Sequence, residues 1–171
     1  MTIAEASNRM TTVMQGLEQA INDSVDNSLP EIANMNREQL TKGLTSDGKE
    51  IGDKPPFNYA GYYDSYAEYR DKMGLQTDFI DLNITGKFYK SIFAKRNNEK
   101  ITIFSNDDPA KVEALMHGGG SPGSLWEVRR GGFGEQIFGL LKSNKNKIQK
   151  KIYIDILFFV KKITNFKINE L

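Results

Sequence analysis

The sequence has no cysteine and a single histidine, His117. Without thiols there is no disulfide framework, no thiol nucleophile and no thiolate zinc site, and no Asp or Glu pairs closely with His117 to build a metal centre from carboxylates. No metal or other cofactor is expected. Long apolar runs are missing too: the longest nearly apolar one, Ile152 to Val160, spans nine residues and contains Asp155, where a bilayer crossing takes about 20. The opening Met1-Thr2-Ile3-Ala4-Glu5 lacks the basic region and apolar stretch of a secretory signal, so a cytosolic origin and no membrane contact are expected. Nor does one sign of charge dominate. The 23 Lys and Arg face 22 Asp and Glu, a net +1, and no global field draws the whole chain onto nucleic acid or anionic lipid.

What is present suits one ordinary domain over residues 1–171, with 39% hydrophobic and 26% charged residues and length enough for a real core. It should unfold as one cooperative unit. Ile3, Ala6, Met10, Val13, Met14, Leu17, Ala20, Ile21 and Val25 recur at steps of three and four, which predicts a long amphipathic helix over 2–28. The stripe reads as core packing, with a partner helix as the alternative. Leu29-Pro30 is expected to break or restart the helix, and a shorter piece over Glu31 to Lys42 to follow before Gly43. Residues 43–58 are dense in Gly, Pro and Asp and read as an exposed loop. Asp47-Gly48 there is a turn, because the alternating oxygen ligands of a calcium loop are missing.

Tyr59, Tyr62, Tyr63, Tyr66 and Tyr69 fall at helical spacing before Gly74 and predict a short helix with an aromatic ridge, suited to core or a protein interface. Phe88 to Lys95 and Lys100 to Ser105 flank a polar turn over Arg96-Asn97-Asn98-Glu99 and predict a β-hairpin, its second strand largely buried. Asp108 is the expected N-cap, and Pro109 the first residue, of a helix reaching Met116. Residues 117–136, rich in glycine and carrying Trp126, Arg129, Arg130 and Phe133, read as a second long loop or arm. The pattern then returns to a basic and apolar C-terminal helix over 142–167. The fold class is α+β: a small antiparallel sheet with a β-hairpin, packed by a long N-terminal helix and a C-terminal helix, with long glycine-rich loops.

Two motifs invite a catalytic reading. Gly119-Gly120-Ser121-Pro122-Gly123 matches the Gly-x-Ser-x-Gly elbow, and His117-Gly118-Gly119-Gly120 matches an oxyanion-loop text, which makes a serine hydrolase at Ser121 the remote alternative. The two motifs overlap where an α/β-hydrolase keeps them on different loops. His117 also precedes the serine, against that fold's order, and no catalytic residue is assigned. More informative is the cluster Lys142, Lys145, Lys147, Lys150 and Lys151, with no acid among them. It is a solvated helix face or a contact to an acidic protein surface or nucleic acid.

One order of pieces resembles a known family. Glu38-Gln39-Leu40, Gly43 and Ser46 to Ile51 are followed by the tyrosine-rich segment with Lys72 and Gly74, then Thr77-Asp78. Asp81-Leu82-Asn83-Ile84-Thr85-Gly86-Lys87-Phe88-Tyr89-Lys90-Ser91-Ile92 comes next. Over roughly residues 36 to 142 this is similar to the small neck proteins of tailed bacteriophages, the head-tail joining, tail-completion and virion-morphogenesis proteins. In them a Leu-x-x-Thr-Gly-x-Leu/Phe-x-x-Ser-Ile segment ends one element and opens a strand, and a hairpin and a helix with a Gly-containing loop follow. The resemblance implies a structural subunit without catalysis, made in the host cytoplasm and placed in the virion neck. Its partners would be a portal or connector ring and a tail tube or tail terminator, with DNA contact secondary. Tyr59, Tyr62, Tyr63, Tyr66, Trp126, Arg129, Arg130, Phe133 and Phe138 are the candidate interface, and 43–58 and 117–136 the arms that order on a neighbour.

Charge adds a reason for self-association. Residues 1–81 hold 7 basic and 14 acidic groups, net −7, and residues 82–171 hold 16 and 8, net +8, which sum to the +1 of the chain. An acidic face of one copy would meet a basic face of the next and favour a head-to-tail homo-oligomeric ring.

Overall fold

The computed structural model describes residues 2–51, 66–79, 81–118 and 132–168, with backbone alone for Arg9, Tyr66, Ala67 and 164–168. The elements are α1 (Ile3–Thr41), α2 (Tyr66–Lys72), α3 (Lys87–Lys90), β1 (Ile92–Asn97), β2 (Lys100–Ser105), α4 (Pro109–His117), a 3-10 turn (Glu135–Ile137) and α5 (Lys142–Ile168). This is the α+β class expected from the sequence, with a long N-terminal helix, a two-stranded antiparallel sheet and a C-terminal helix. Contacts divide the chain into two compact units, Met1–Leu29 with Lys145–Leu171, and Pro30–Asn144.

The Pro30–Asn144 unit is built on Leu40, Ile51, Phe88, Tyr89, Ile92, Ala114, Leu115 and Ile137, with Leu82, Ile103, Met116, Phe133 and Phe138 partly buried against them. The last turns of α1 supply Ile32, Ala33 and Leu40 to the buried set. The same turns present three polar side chains that hold distant backbone. The Asn36 amide donates to the carbonyls of Ile137 and Gly139 at 2.9 and 2.8 Å. The Arg37 guanidinium donates to those of Tyr89 and Ile92 at 2.9 and 2.6 Å. Gln39 donates to Gly139 at 3.2 Å and accepts from the Leu141 N–H at 2.7 Å. Buried backbone outside regular structure must find partners, and these side chains provide them. Gly139 is required by proximity, since a Cβ there would meet the Ser46 Cβ at 2.7 Å.

The hairpin is shorter than its sequence pattern. Residues 87–90 form one helical turn, opened by Gly86 at φ 72°, and β1 starts only at Ile92. Asn97 pairs with Lys100, leaving Asn98-Glu99 as a two-residue loop with Asn98 at φ 54°, as a tight hairpin turn demands. β2 is half-buried and not enclosed, because the single hairpin covers one face only. Ile101, Ile103 and Ser105 turn inward, while Phe104 is 36% exposed and meets Phe93 across the strands at 6.3 Å between ring centres.

α4 begins as expected, with the Asp108 carboxylate accepting from the N–H groups of Ala110 and Lys111 and Pro109 in the first turn. Just before it, burial pushes the Asp107 carboxyl up, but the Lys111 ammonium and the Asp108 N–H outweigh this and hold it below the usual range. Residues 43–51 depart from the exposed loop expected there. Leu44 and Glu50 form a β-bridge, Gly43 and Thr45 are buried, and Ile51 is 1% exposed inside the core. The polar text hides one anchoring isoleucine. Residues 52–58 of that loop lie outside the described residues.

The other unit pairs the first part of α1 with α5. Ser24 Oγ donates to Asp155 Oδ2 at 2.7 Å, and a Cβ on Gly16 would meet Phe159 Cζ at 3.3 Å. Moving forward from Gly16 to Ser24 thus moves backward along α5, so the two helices run antiparallel. Glycine inside a helix costs up to about 1 kcal/mol relative to Ala, and here it admits the phenylalanine ring. The break expected at Leu29-Pro30 is absent, and α1 is continuous with Pro30 inside it. Proline removes one ladder hydrogen bond but not the others, and the buried Ser28, whose hydroxyl donates to the Ser24 carbonyl at 2.8 Å, and the buried Ile32 and Ala33 keep helical packing on both sides.

Candidate interaction surface

α5 carries the lysine cluster. Lys142, Lys145, Lys147 and Lys150 are exposed, and Lys151 is half-buried. Its sequence from 142 to 168 holds eight lysines and one acid, Asp155, a net +7. The acid is engaged by Ser24. Alongside the lysines lie apolar side chains turned to solvent, with Tyr153 60% and Phe158 68% exposed and Ile154, Leu157 and Val160 near 39%. The sequence suggested that a helix this apolar needs covering on more than one side. Among the described residues it is covered on one.

α1 shows the same feature in acidic surroundings. Met10 and Met14 are 68% and 62% exposed, and Ile3 and Ile21 are exposed as well. The half-buried Ala6, Val13, Leu17 and Ala20 form the packed part of the stripe. The sequence analysis did not separate the two parts, because both contribute to one hydrophobic periodicity and only the position of α5 distinguishes them.

The aromatic candidates fare differently. Tyr59, Tyr62, Tyr63, Trp126, Arg129 and Arg130 lie outside the described residues, and so does Ser121 with its elbow motif; for Tyr66, at the start of α2, only the backbone is described. Phe133 and Phe138 are partly buried against the core, and the Phe138 ring lies 6.1 Å from that of Phe88. Both therefore contribute packing. The chain around Phe133 is anchored, since the N–H groups of Phe133 and Gly134 donate to the carbonyls of Leu115 and Met116 at 2.8 Å each. Gly132 needs its missing side chain, because at φ 59° a Cβ would run into the Met116 carbonyl. His117 ends α4 with its ring about half exposed and 3.9 Å from Glu113.

Polar chemistry concentrates around Arg70, on α2. Its guanidinium donates to the carbonyls of Gln76 and Asn83 at 2.8 and 2.9 Å and pairs with Asp81 at 2.9 Å. The Tyr89 hydroxyl donates to the Asp81 carbonyl, and the Asp81 carboxylate also accepts from the Asn83 N–H at 2.9 Å. This closed network fixes residues 70–89 and opens no cleft to a reactant. No signal short of the fold distinguishes Arg70 from its exposed neighbours Asp71 and Lys72 in the sequence. Among the described residues there is no group of three or more Asp, Glu and His placed to hold a metal ion, and no helix is long and apolar enough to cross a membrane.

The geometry thus defines an α+β protein with a polar-clamped core and a helical pair whose outer faces combine apolar side chains with opposite charge. No family model, curated protein or solved structure matches the chain.

Proposed function

We propose that the chain is a structural, non-catalytic subunit of a tailed-phage virion, part of the head-tail connector or tail-completion ring of the neck. The observation that carries this reading is the conformation of the segment on which the resemblance rests. Gly86 at φ 72° opens the turn of Lys87–Lys90, Ile92 starts the first hairpin strand, and the hairpin leads into α4, which ends at Gly118. That is the order the resemblance implies for such proteins. The exposed apolar faces of α1 and α5 also suit a subunit that finishes its packing on neighbours. Its partners in this reading are further copies of the chain, a portal or connector ring on the head side, and a tail tube or terminator on the other.

The test is to block expression of the gene during infection and image the particles. Filled heads separated from tails, and the chain recovered in fixed ratio to portal protein from intact virions, are expected. Complete infectious particles lacking the chain would refute the proposal. A second reading, a nucleic-acid contact through α5, is favoured by the exposed Lys142, Lys145, Lys147 and Lys150. It requires DNA affinity that falls steeply with salt, and no binding at low salt would end it.

A further inference from the structure

Two helices can bury one stripe each against the other, and both α1 and α5 have more apolar surface than that. On α1, Ile3, Met10, Met14 and Ile21 recur at steps of seven, four and seven, which at the helical repeat places them within an arc of about 40°. That arc lies about 70° round from the half-buried Ala6, Val13 and Ala20. On α5, Tyr153, Leu157 and Val160 lie about 180° round from Ile148, Ile152 and Phe159, with Ile154 and Phe158 beside them. A helix that is apolar on opposite sides takes a neighbour on each.

Charge says what kind of neighbour. Met1–Leu29 holds Glu5, Glu18, Asp23 and Asp26 against Arg9, net −3, whereas 145–168 holds seven lysines against Asp155, net +6. Asp155 is turned toward Ser24 in the packed interface, so the outer face of α5 carries lysines only, with Lys147 and Lys150 exposed beside its apolar patch. Glu18, exposed, borders the apolar stripe of α1. An anionic lipid surface would suit α5 but repel the acidic α1, leaving the second stripe uncovered. Only an occupant with one acidic and one basic apolar helix satisfies both.

We infer that the occupant is a second copy of this chain, the outer stripe of α1 in one copy seating on the outer face of α5 in the next. Because the two surfaces sit on different helices, the contact is head-to-tail and passes from copy to copy until it closes. The inference deepens the ring reading above and rests on it for its setting. It names the surface, which can fail while the ring survives.

The experiment uses the full chain and two neutral double variants at exposed positions, Met10→Gln with Met14→Gln on α1 and Tyr153→Gln with Phe158→Gln on α5. Helix content by circular dichroism establishes that both remain folded. By light scattering across concentration, the wild type assembles, more weakly at high salt, and each variant associates at least about tenfold more weakly. Mixed together, the two variants give a one-to-one dimer, since one unblocked α1 stripe then meets one unblocked α5 face. Variants that assemble like the wild type would overturn the surface while leaving the ring intact. A wild type monomeric at all concentrations would overturn both. Variants that are monomeric alone and in mixture would overturn the α1-on-α5 pairing. Wild-type monomers that bind vesicles of anionic lipid through Phe158 would assign the surface to membrane instead.

Discussion

Arg70 has 1% of its surface exposed and Asp81 has 7%, so their ion pair is held away from water and each depends on the other. Removing one partner of such a pair leaves an uncompensated buried charge, which costs about 3–5 kcal/mol. Arg70→Met should lose that much in urea denaturation. Adding Asp81→Asn should recover part of it by removing the stranded charge. A loss under about 1 kcal/mol, the value of a solvated pair, would show that the network does not anchor residues 70–89. Asp47 presents the opposite case, an exposed carboxylate. The Thr45 hydroxyl donates to it at 2.5 Å and the Lys49 ammonium lies at 2.9 Å, and these hold its pKa down at about 2 against a usual 3.8. A carboxyl depressed on folding stabilises the native state above its unfolded pKa and loses that contribution as pH falls through the folded value. Wild type should therefore exceed Asp47→Asn in stability at neutral pH, and the gap should close between pH 3.8 and about 2. A gap unchanged down to pH 2 would mean that the carboxylate charge, and with it the contacts from Thr45 and Lys49, is not what separates the two proteins.

At the scale of elements, proline inside α1 is the clearest departure from local rules. Pro30 is exposed, cannot donate to the carbonyl four residues back, and crowds the preceding turn. Pro30→Ala should restore that bond and raise stability by about 1–2 kcal/mol, net of the greater freedom the unfolded chain gains. A fall in the denaturation midpoint would show that the helix depends on proline's shape at the step where the two units divide. Elements written in local chemistry were legible from the sequence: the long helices from their periodicity, the hairpin from its apolar runs, and α4 from Asp108 and Pro109. What was illegible depends on distant partners. Nothing local marks Asn36, Arg37 and Gln39 as clamps on backbone more than 50 residues away, nor Ile51 as a core residue within a polar turn. The single turn over Lys87–Lys90 reads as strand because its Phe-Tyr pair is equally suited to either state. Of the candidate surface, the lysines of α5 were named from sequence. The exposed α1 stripe was not separated from core, since exposure depends on where α5 lies.

The molecule as a whole divides its buried surface unevenly. Within Pro30–Asn144 a cluster of eight apolar residues is buried, while the buried set of the helical unit is Ser24, Ser28 and Ile148 among the described residues. Regions with few buried apolar contacts open locally well below the global unfolding free energy. Hydrogen exchange on the full chain at low concentration should therefore find the amides of Ile92, Ile103 and Leu40 slowest. Those of Met14 to Ala20 and of Tyr153 to Val160 should exchange at least about 100-fold faster, a difference of about 3 kcal/mol. At concentrations where copies associate, the helical amides should slow and the core amides should not, because a neighbour adds burial where the free subunit lacks it. Equal protection throughout would make the chain one cooperative unit, the behaviour its length alone suggests, and would leave the exposed stripes without a stabilising role. Slowing confined to the core would place the contact between copies elsewhere.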